Sequence, residues 1–203
     1  MIRYKTATDD PEFEQIHRLN HDTFAAEIPQ HPCKADRRLV DRFHAENTYI
    51  VGLDGRRVIA MVAMRARRPF SLDAKVPDLD SHLPPGACPC EIRLLAVEQG
   101  YRGCGVFAGL LGRLADEFIS AGHDLALISG TVRQRRLYAH LGFVPFGPLV
   151  GTPDALFQPM MLSLAGFLMR ARDFLPSLGS SPPKGEAGPG AAGVPAIVDA
   201  TPT

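Results

Sequence analysis

The stretch CEIRLLAVEQGYRGCGVFAGLL, residues 90–111, decides how this chain folds. It opens with an apolar run, continues through a short polar link with glycines, and ends in an amphipathic segment. That order predicts a buried strand, a tight loop and a helix. The helix would begin near Gly103 and Gly105, where the first backbone N–H groups lack helical acceptors and the helix dipole is positive. The stretch therefore predicts a site for an anion of phosphate size.

Length and composition restrict what the protein can be. The chain has 203 residues, enough for one domain with a substantial core and few for two. Its formal net charge is zero, so no basic field predicts nucleic-acid binding and the expected partner is small. The four cysteines lack a second Cys or His pair at zinc spacing, so no metal site is predicted. Without a signal peptide or an apolar run of about 18 residues, the sequence predicts a cytoplasmic protein with reduced thiols and no membrane span.

The rest of the chain supplies further strands and helices. Two apolar runs around Asp54-Gly55 form a strong hairpin signal. The connection 65–89 is long and carries spaced hydrophobes, which predicts that it packs on the domain and serves a function. Periodic segments predict further strands at 2–7, 125–128, 143–150 and 156–164 and helices at 11–20, 35–46, 106–121, 133–140 and 166–175.

The order of these elements predicts the fold class. Strands and helices are mixed along the chain, with one hairpin early and one late. This favours an α/β (α+β) fold, with a mixed, mostly antiparallel twisted sheet flanked by helices on both faces. We expect one domain over residues 1–175. Residues 176–203 are rich in Gly, Pro, Ala and Ser, and are predicted to form a disordered tail or linker because they have little to bury.

Two motifs in tandem resemble the GNAT superfamily of N-acyltransferases. The segment VEQGYRGCGVFAGLL resembles the acyl-CoA-binding motif R/Q-x-x-G-x-G/A, which stands here at residues 102–107, with Phe107 at a position that is usually small. Downstream, TVRQRRLYAHLGF is similar to the family pattern N-x-x-A-x-x-x-Y-x-x-x-G-F, with Tyr138, Gly142 and Phe143 in place. The resemblance covers roughly residues 1–164 and implies the GNAT fold.

The long connection carries a finer resemblance. The long-chain N-acyl amino acid synthases and acyl-homoserine-lactone synthases have a similar insertion, followed by a Glu-Ile/Leu-Ser-Arg segment. Here that region reads HLPPGACPCEIRLLAV, with Glu91 in place and Arg93-Leu94 where those enzymes have Ser-Arg. The N-terminal HRLNHDTFAAEIPQHP is similar to their R-x-x-x-F-x-x-E region through Phe24 and Glu27.

The GNAT resemblance implies roles for particular residues. The strand from Glu91 would pair with the pantetheine arm of an acyl thioester, and Glu91 would act as the general base. Tyr138 would donate a proton to the leaving thiolate. Arg102 would add charge at the rim of the anion loop. The backbone groups predicted to contact the donor are those of Leu95, Ala96 and Val97 at the thioester carbonyl and of Gly103, Cys104, Gly105, Val106, Phe107 and Ala108 at the pyrophosphate.

Several alternatives stay open at this point. The donor is acetyl-CoA or a longer acyl-CoA, or an acyl-carrier protein, for which the Arg65-Arg67-Arg68 cluster is a candidate contact if it is not simply a solvated face. The acceptor is a small-molecule primary amine, and the oligomeric state is open. One rival is a catalytically inactive GNAT-fold acyl-thioester sensor or regulatory domain of a larger fused protein. A dinucleotide-binding enzyme, using the glycines at 100, 103 and 105, is the other rival, but the early strand-glycine-helix unit is missing.

Overall fold

The computed structural model describes residues 1–103, 105–152 and 155–174, except for the side chains of 155 and 171–174. Its strands are β1 (Arg3–Thr6), β2 (Thr48–Asp54), β3 (Arg57–Arg65), β4 (Pro89–Val97), β5 (Leu125–Thr131), β6 (Val144–Pro145), β7 (Val150–Thr152) and β8 (Ala155–Ser163). Its α-helices are α1 (Asp10–His21), α2 (Val106–Ser120), α3 (Arg135–Leu141) and α4 (Leu164–Phe174). Cys104 and the predicted tail 176–203 lie outside the described residues.

All eight strands form one sheet, which confirms the predicted mixed, mostly antiparallel architecture. The strand order is β1-β2-β3-β4-β5-β8-β6, and β7 also pairs with β8. Every pairing is antiparallel except the one between β4 and β5. That parallel pairing runs only from Pro89 to Glu91 on β4 and from Leu125 to Leu127 on β5. The remaining halves of these two strands therefore leave a gap in the middle of the sheet.

Two apolar clusters cover the two faces of the sheet. One cluster lies under α1 and the insertion between β3 and β4, and it includes Met61, Leu72 and Leu127. The other lies under α2, where Val106 and Leu110 pack on the alternate residues of the same strands. Helices therefore flank both faces, as predicted. Within the described part of the chain, no helix has the length and apolar character needed to cross a membrane.

The predicted helix over 35–46 is wrong. Residues 35–43 form turns and irregular backbone, and a single 3₁₀ turn follows at His44–Glu46. Arg37 has a φ of 52°, a left-handed conformation that a right-handed helix cannot include. The Asp41 carboxylate accepts the backbone N–H of Phe43 at 2.9 Å, which replaces a helical hydrogen bond by a local one. Short polar side chains thus outweigh the apolar periodicity of this segment.

The long insertion, residues 66–88, packs on the domain as predicted. Its side chains Phe70, Leu72, Val76 and Leu79 are all buried in the cluster under α1. Two short 3₁₀ helices, Ser71–Ala74 and Leu79–His82, organise it.

Candidate functional site

The gap between β4 and β5 is bordered by an irregularity in β4. Met61 of β3 pairs with Ala96, whereas Ala63 pairs with Arg93, so Leu94 and Leu95 together face the single residue Val62. This is a β-bulge, and Leu94 adopts a left-handed φ of 52° there. A bulge leaves its extra residue outside the regular ladder. The backbone of residues 95–97, predicted to contact a thioester, therefore follows a distorted point on the edge of the gap.

The glycine loop, where the sequence predicts an anion site, leads directly into helix α2. Gly103 and Gly105 have φ values of 83° and 74°, a left-handed conformation that side chains rarely adopt. Helix α2 begins directly after them, so the N–H groups of Val106, Phe107 and Ala108 have no acceptor within the helix. Both glycines are exposed. The loop therefore offers an open edge at the positive end of a helix of 15 residues.

Phe107, the departure from the motif, has a place in the packing. Its side chain is half-buried against the apolar cluster under α2, as are those of Tyr101 and Leu111. The ring is thus held at least in part by contacts beneath the helix. Its bulk does not prevent the two glycines before it from staying exposed.

Arg102 is held by two partners. Its guanidinium pairs with both carboxylate oxygens of Glu27 at 2.6 Å, and its Nε donates to the carbonyl oxygen of Val97 at 2.9 Å. The hydrogen bond to Glu27 raises the pKa of Arg102. Arg102 therefore ties the glycine loop to the end of β4 and to the N-terminal segment. The sequence singled out Glu27 through its resemblance, but only the fold brings the two residues together.

Tyr138 lies against β5 on the α2 face of the sheet. The side chain is completely buried, and its hydroxyl donates to Oε1 of Gln134 at 2.6 Å. The ring occupies the space above Gly130, where an added Cβ would lie 2.7 Å from it. Burial raises the pKa of Tyr138, so the phenol keeps its proton well above neutral pH. This is the protonation state that a proton donor needs.

Glu91 lies on the opposite face of the sheet and is completely buried. Its carboxylate accepts hydrogen bonds from the backbone N–H and hydroxyl of Ser71, at 2.7 and 2.6 Å, and from the N–H of Leu72 at 3.2 Å. Nε of Arg93 is 4.0 Å away. The carboxylate thus anchors the insertion to β4. The roles of Glu91 as base and Tyr138 as acid stay predictions, and the gap in the sheet lies between the two.

A buried cationic cluster beside Glu91 was not predicted. Arg65 and Arg93 stack over the ring of Phe43, with guanidinium carbons 3.8 and 4.6 Å from its centroid. Nη2 of Arg93 pairs with Asp41 at 2.9 Å, and Arg65 pairs with Glu46. Arg65 is therefore buried, and its interpretation as part of a solvated face is wrong. The only feature of the sequence that could have indicated this burial is that both arginines belong to otherwise apolar strands.

Two concave features lie along β5 or just beyond its end. An apolar cavity of about 70 Å³ lies between α2, α4 and the sheet, and it reaches Ile92, the first residue of β4 beyond its pairing with β5. An open groove follows the end of β5 and carries Arg133, Arg135 and Arg136 on its lining. The cavity is lined by Ile92, Leu111, Leu114, Ala115, Phe118, Ala126, Leu141, Phe143, Leu162, Ser163, Leu164 and Phe167.

Comparisons with known proteins give a result at the level of structure. No protein-family model matches the sequence, and no curated protein matches it. Among solved structures, the CoA-dependent acyl-homoserine lactone synthase BjaI, with SAM and isopentyl-CoA, is similar with a TM-score of 0.68 at 19% identity, over 85% of this chain and 88% of that one. The N-acyl amino acid synthase FeeM, from uncultured soil microbes, is similar with a TM-score of 0.66 at 14% identity, over 84% of this chain and 94% of that one.

A solved structure from the GNAT family shares the architecture. A putative GNAT-family acetyltransferase from Desulfovibrio desulfuricans has a TM-score of 0.56 at 12% identity, over 80% of this chain and 99% of that one. The order of elements, the partial pairing of β4 with β5 and the similarity to these solved structures all point to the same fold. The chain has the GNAT fold, in the form also found in acyl-homoserine lactone synthases and an N-acyl amino acid synthase.

Proposed function

We propose that the protein is an N-acyltransferase that moves an acyl group from an acyl thioester to a primary amine by direct attack. The observation that carries the proposal is the gap between β4 and β5, which has the glycine loop at one end and Tyr138 beside it. An extended pantetheine arm can fill such a gap as an additional strand. Two solved structures with this fold are a CoA-dependent acyl-homoserine lactone synthase, with SAM and isopentyl-CoA, and an N-acyl amino acid synthase, which supports the proposal.

The donor would be held mainly by backbone groups. Amides of residues 103–108 would bind the pyrophosphate of acyl-CoA. The arginines at 133, 135 and 136 lie beyond β5 and are suited either to further phosphates or to the acidic surface of an acyl-carrier protein. This groove replaces the Arg65-Arg67-Arg68 cluster as the candidate contact for a carrier protein, because Arg65 is buried and Arg68 pairs with Asp73 and Asp80.

The chemistry would proceed in one displacement. The amine nitrogen attacks the thioester carbonyl carbon, and N–H groups near residues 95–97 stabilise the negative charge on the carbonyl oxygen. The carbon–sulfur bond then breaks, and Tyr138 gives its proton to the leaving thiolate, which requires its hydroxyl to turn away from Gln134. Glu91 takes the proton that the attacking nitrogen loses. The products are an N-acyl amine and a free thiol.

The apolar cavity favours a donor longer than acetyl. Its lining is apolar and it adjoins the gap at Ile92. Each methylene buried there would contribute about 0.8 kcal/mol, which corresponds to roughly a fourfold gain in affinity. A series of acyl-CoA and acyl-carrier-protein donors from acetyl to palmitoyl, assayed with a panel of amines, tests this. The proposal predicts that kcat/KM rises with the length of the acyl chain and then falls. If acetyl-CoA gives the highest kcat/KM, the preference for a longer donor is contradicted.

The hydrogen bonds around Glu91 favour a second candidate, an acyl-thioester sensor without catalytic activity. The carboxylate of Glu91, the residue predicted to act as the base, already accepts hydrogen bonds from three donors. A sensor would bind acyl-CoA tightly and leave it intact in the presence of every amine tested. Turnover by the purified chain would exclude this candidate.

A further inference from the structure

Gln134 contacts the hydroxyl that the proposed reaction uses as an acid. It ends the 3₁₀ turn Val132–Gln134, directly before helix α3, and Tyr138 follows four residues later. Side chains four residues apart lie on the same face of a helical segment, and Oε1 of Gln134 accepts the Tyr138 hydroxyl at 2.6 Å. The contact therefore joins a partly exposed amide to a completely buried phenol.

The phenol ring itself is held in place by its neighbours. A Cβ added to Gly130 would lie 2.7 Å from the ring, so the ring lies directly against the backbone of β5. The Phe143 ring meets it edge to face, with the two centroids 6.4 Å apart. The backbone N–H of Phe143 also donates to the carbonyl oxygen of Tyr138 at 2.9 Å. The hydroxyl oxygen therefore has a nearly constant position, and only its hydrogen and its hydrogen-bond partner can rearrange.

The orientation of the Gln134 amide decides which form of the phenol is favoured. Its carbonyl oxygen accepts the hydroxyl hydrogen and favours the neutral phenol, whereas its NH₂ group can donate to the phenolate and favours the ionised form. Burial raises the pKa of Tyr138, and interactions with Thr131 offset this shift only in part, so the phenol alone is a weak acid. Half a turn of the amide exchanges its two ends at the same position. A glutamine can therefore serve both forms of the phenol.

We propose that Gln134 is a positioning residue whose amide turns during acyl transfer, accepting the Tyr138 hydroxyl in the resting protein and donating to the phenolate once the proton has left. This inference rests on the proposed acyl-transfer function and adds a residue that controls its acid. The hydroxyl proton moves to the sulfur as the carbon–sulfur bond breaks, and the phenolate later regains a proton from solvent. Because Gln134 acts through Tyr138, its role is expected in kcat and not in KM for the donor.

The test replaces Gln134 by two side chains of similar size, assayed with the best donor of the acyl series. Gln134→Glu presents only acceptor oxygens at neutral pH and repels the phenolate, so kcat should fall by about tenfold to a hundredfold, nearly as far as in Tyr138→Phe. Gln134→Met removes donor and acceptor alike, and kcat should fall by about fivefold. KM for the donor should stay within about twofold of the wild-type value in both variants. A wild-type kcat in Gln134→Met, or a loss in Gln134→Glu no larger than that in Gln134→Met, overturns the proposal.

The Tyr138→Phe protein provides the matched control. Gln134→Glu acts through the phenol alone, so adding it to Tyr138→Phe should not lower kcat further. If it lowers kcat as strongly in Tyr138→Phe as in the wild type, Gln134 acts independently of Tyr138 and the proposal is wrong. Full turnover by Tyr138→Phe itself would overturn the acid and this inference while acyl transfer stands. Absence of any acylated product from the wild type would instead overturn the proposed function, and this inference with it.

Discussion

Replacing Glu91 by glutamine separates the two roles that this residue can have. In the wild type, its fully buried carboxylate accepts three hydrogen bonds from Ser71 and Leu72. Glutamine has one acceptor oxygen and one NH₂ group at the same positions. Whichever way the amide is turned, its NH₂ group faces a backbone N–H that is then left without an acceptor. A buried donor without a partner costs about 1–3 kcal/mol.

The magnitude follows from this geometry. The remaining hydrogen bonds also lose the assistance of the negative charge, and hydrogen bonds to charged groups contribute about 1.5–3 kcal/mol against about 1 kcal/mol for neutral ones. We therefore expect Glu91→Gln to lower the free energy of unfolding by about 2–4 kcal/mol, which a typical domain survives in the folded state. Ser71→Ala removes the hydroxyl donor alone and is expected to cost about 1–2 kcal/mol.

Guanidinium unfolding at neutral pH measures the stability, and turnover is measured on the folded variants. If Glu91 is the base, Glu91→Gln lowers kcat by about a hundredfold or more, and Ser71→Ala lowers it far less. If Glu91 is only an anchor, the two variants lose turnover in proportion to their stability. A Glu91→Gln protein as stable as the wild type would refute the hydrogen-bonding argument itself.

Three further predictions concern other parts of the molecule. Tyr138→Phe should lower kcat by about tenfold to a hundredfold with little change in KM for the donor, and the wild-type rate should not fall from phenol ionisation up to about pH 10, because burial raises the pKa of Tyr138; a full wild-type rate in the variant would contradict this. Gly105→Ala should lower the free energy of unfolding by about 1 kcal/mol and raise the KM for the donor, because Gly105 has a φ of 74°. Gly112→Ala, inside α2 with open space around an added Cβ, should raise the free energy of unfolding by about 0.5–1 kcal/mol. Equal effects of the two substitutions would show that the loop conformation is not required. Burial and the nearby His44 lower the pKa of His17, so the stability contributed by its neutral form is present above its ordinary pKa of 6.5 and is lost as the pH falls below that value. The denaturant midpoint should therefore depend less on pH between about pH 8 and 5 in His17→Gln than in the wild type. The same pH dependence in both proteins would contradict the assignment.

The sequence predicted the framework of the site because that framework is local. The glycine loop and α2 follow each other directly, and Tyr138 is placed by its own helix, so spacing along the chain was sufficient. The predicted helix over 35–46 is absent because the Asp41 carboxylate forms a local hydrogen bond to the backbone and Arg37 adopts a left-handed φ, and apolar periodicity detects neither feature.

Long-range contacts were beyond the sequence. The pairing of Arg102 with Glu27, the stacking of Arg65 on Phe43 and the hydrogen bond from Lys75 to Ser129 each join residues that are distant in the chain. The insertion shows the difference most clearly. Its apolar residues predicted that it packs on the domain. Its hydrogen bonds to Glu91 on β4 and to Ser129 on β5 could not be predicted, because these two residues lie on different strands.

The most direct test of the account is a crystal structure of the protein with a non-hydrolysable acyl-CoA thioether. We predict that the pantetheine arm lies between β4 and β5 with its pyrophosphate on the amides of residues 103–108. The sulfur should lie within hydrogen-bonding reach of the Tyr138 hydroxyl. A thioether bound elsewhere, or a gap that stays closed to the pantetheine arm at saturating ligand, would contradict the central claim.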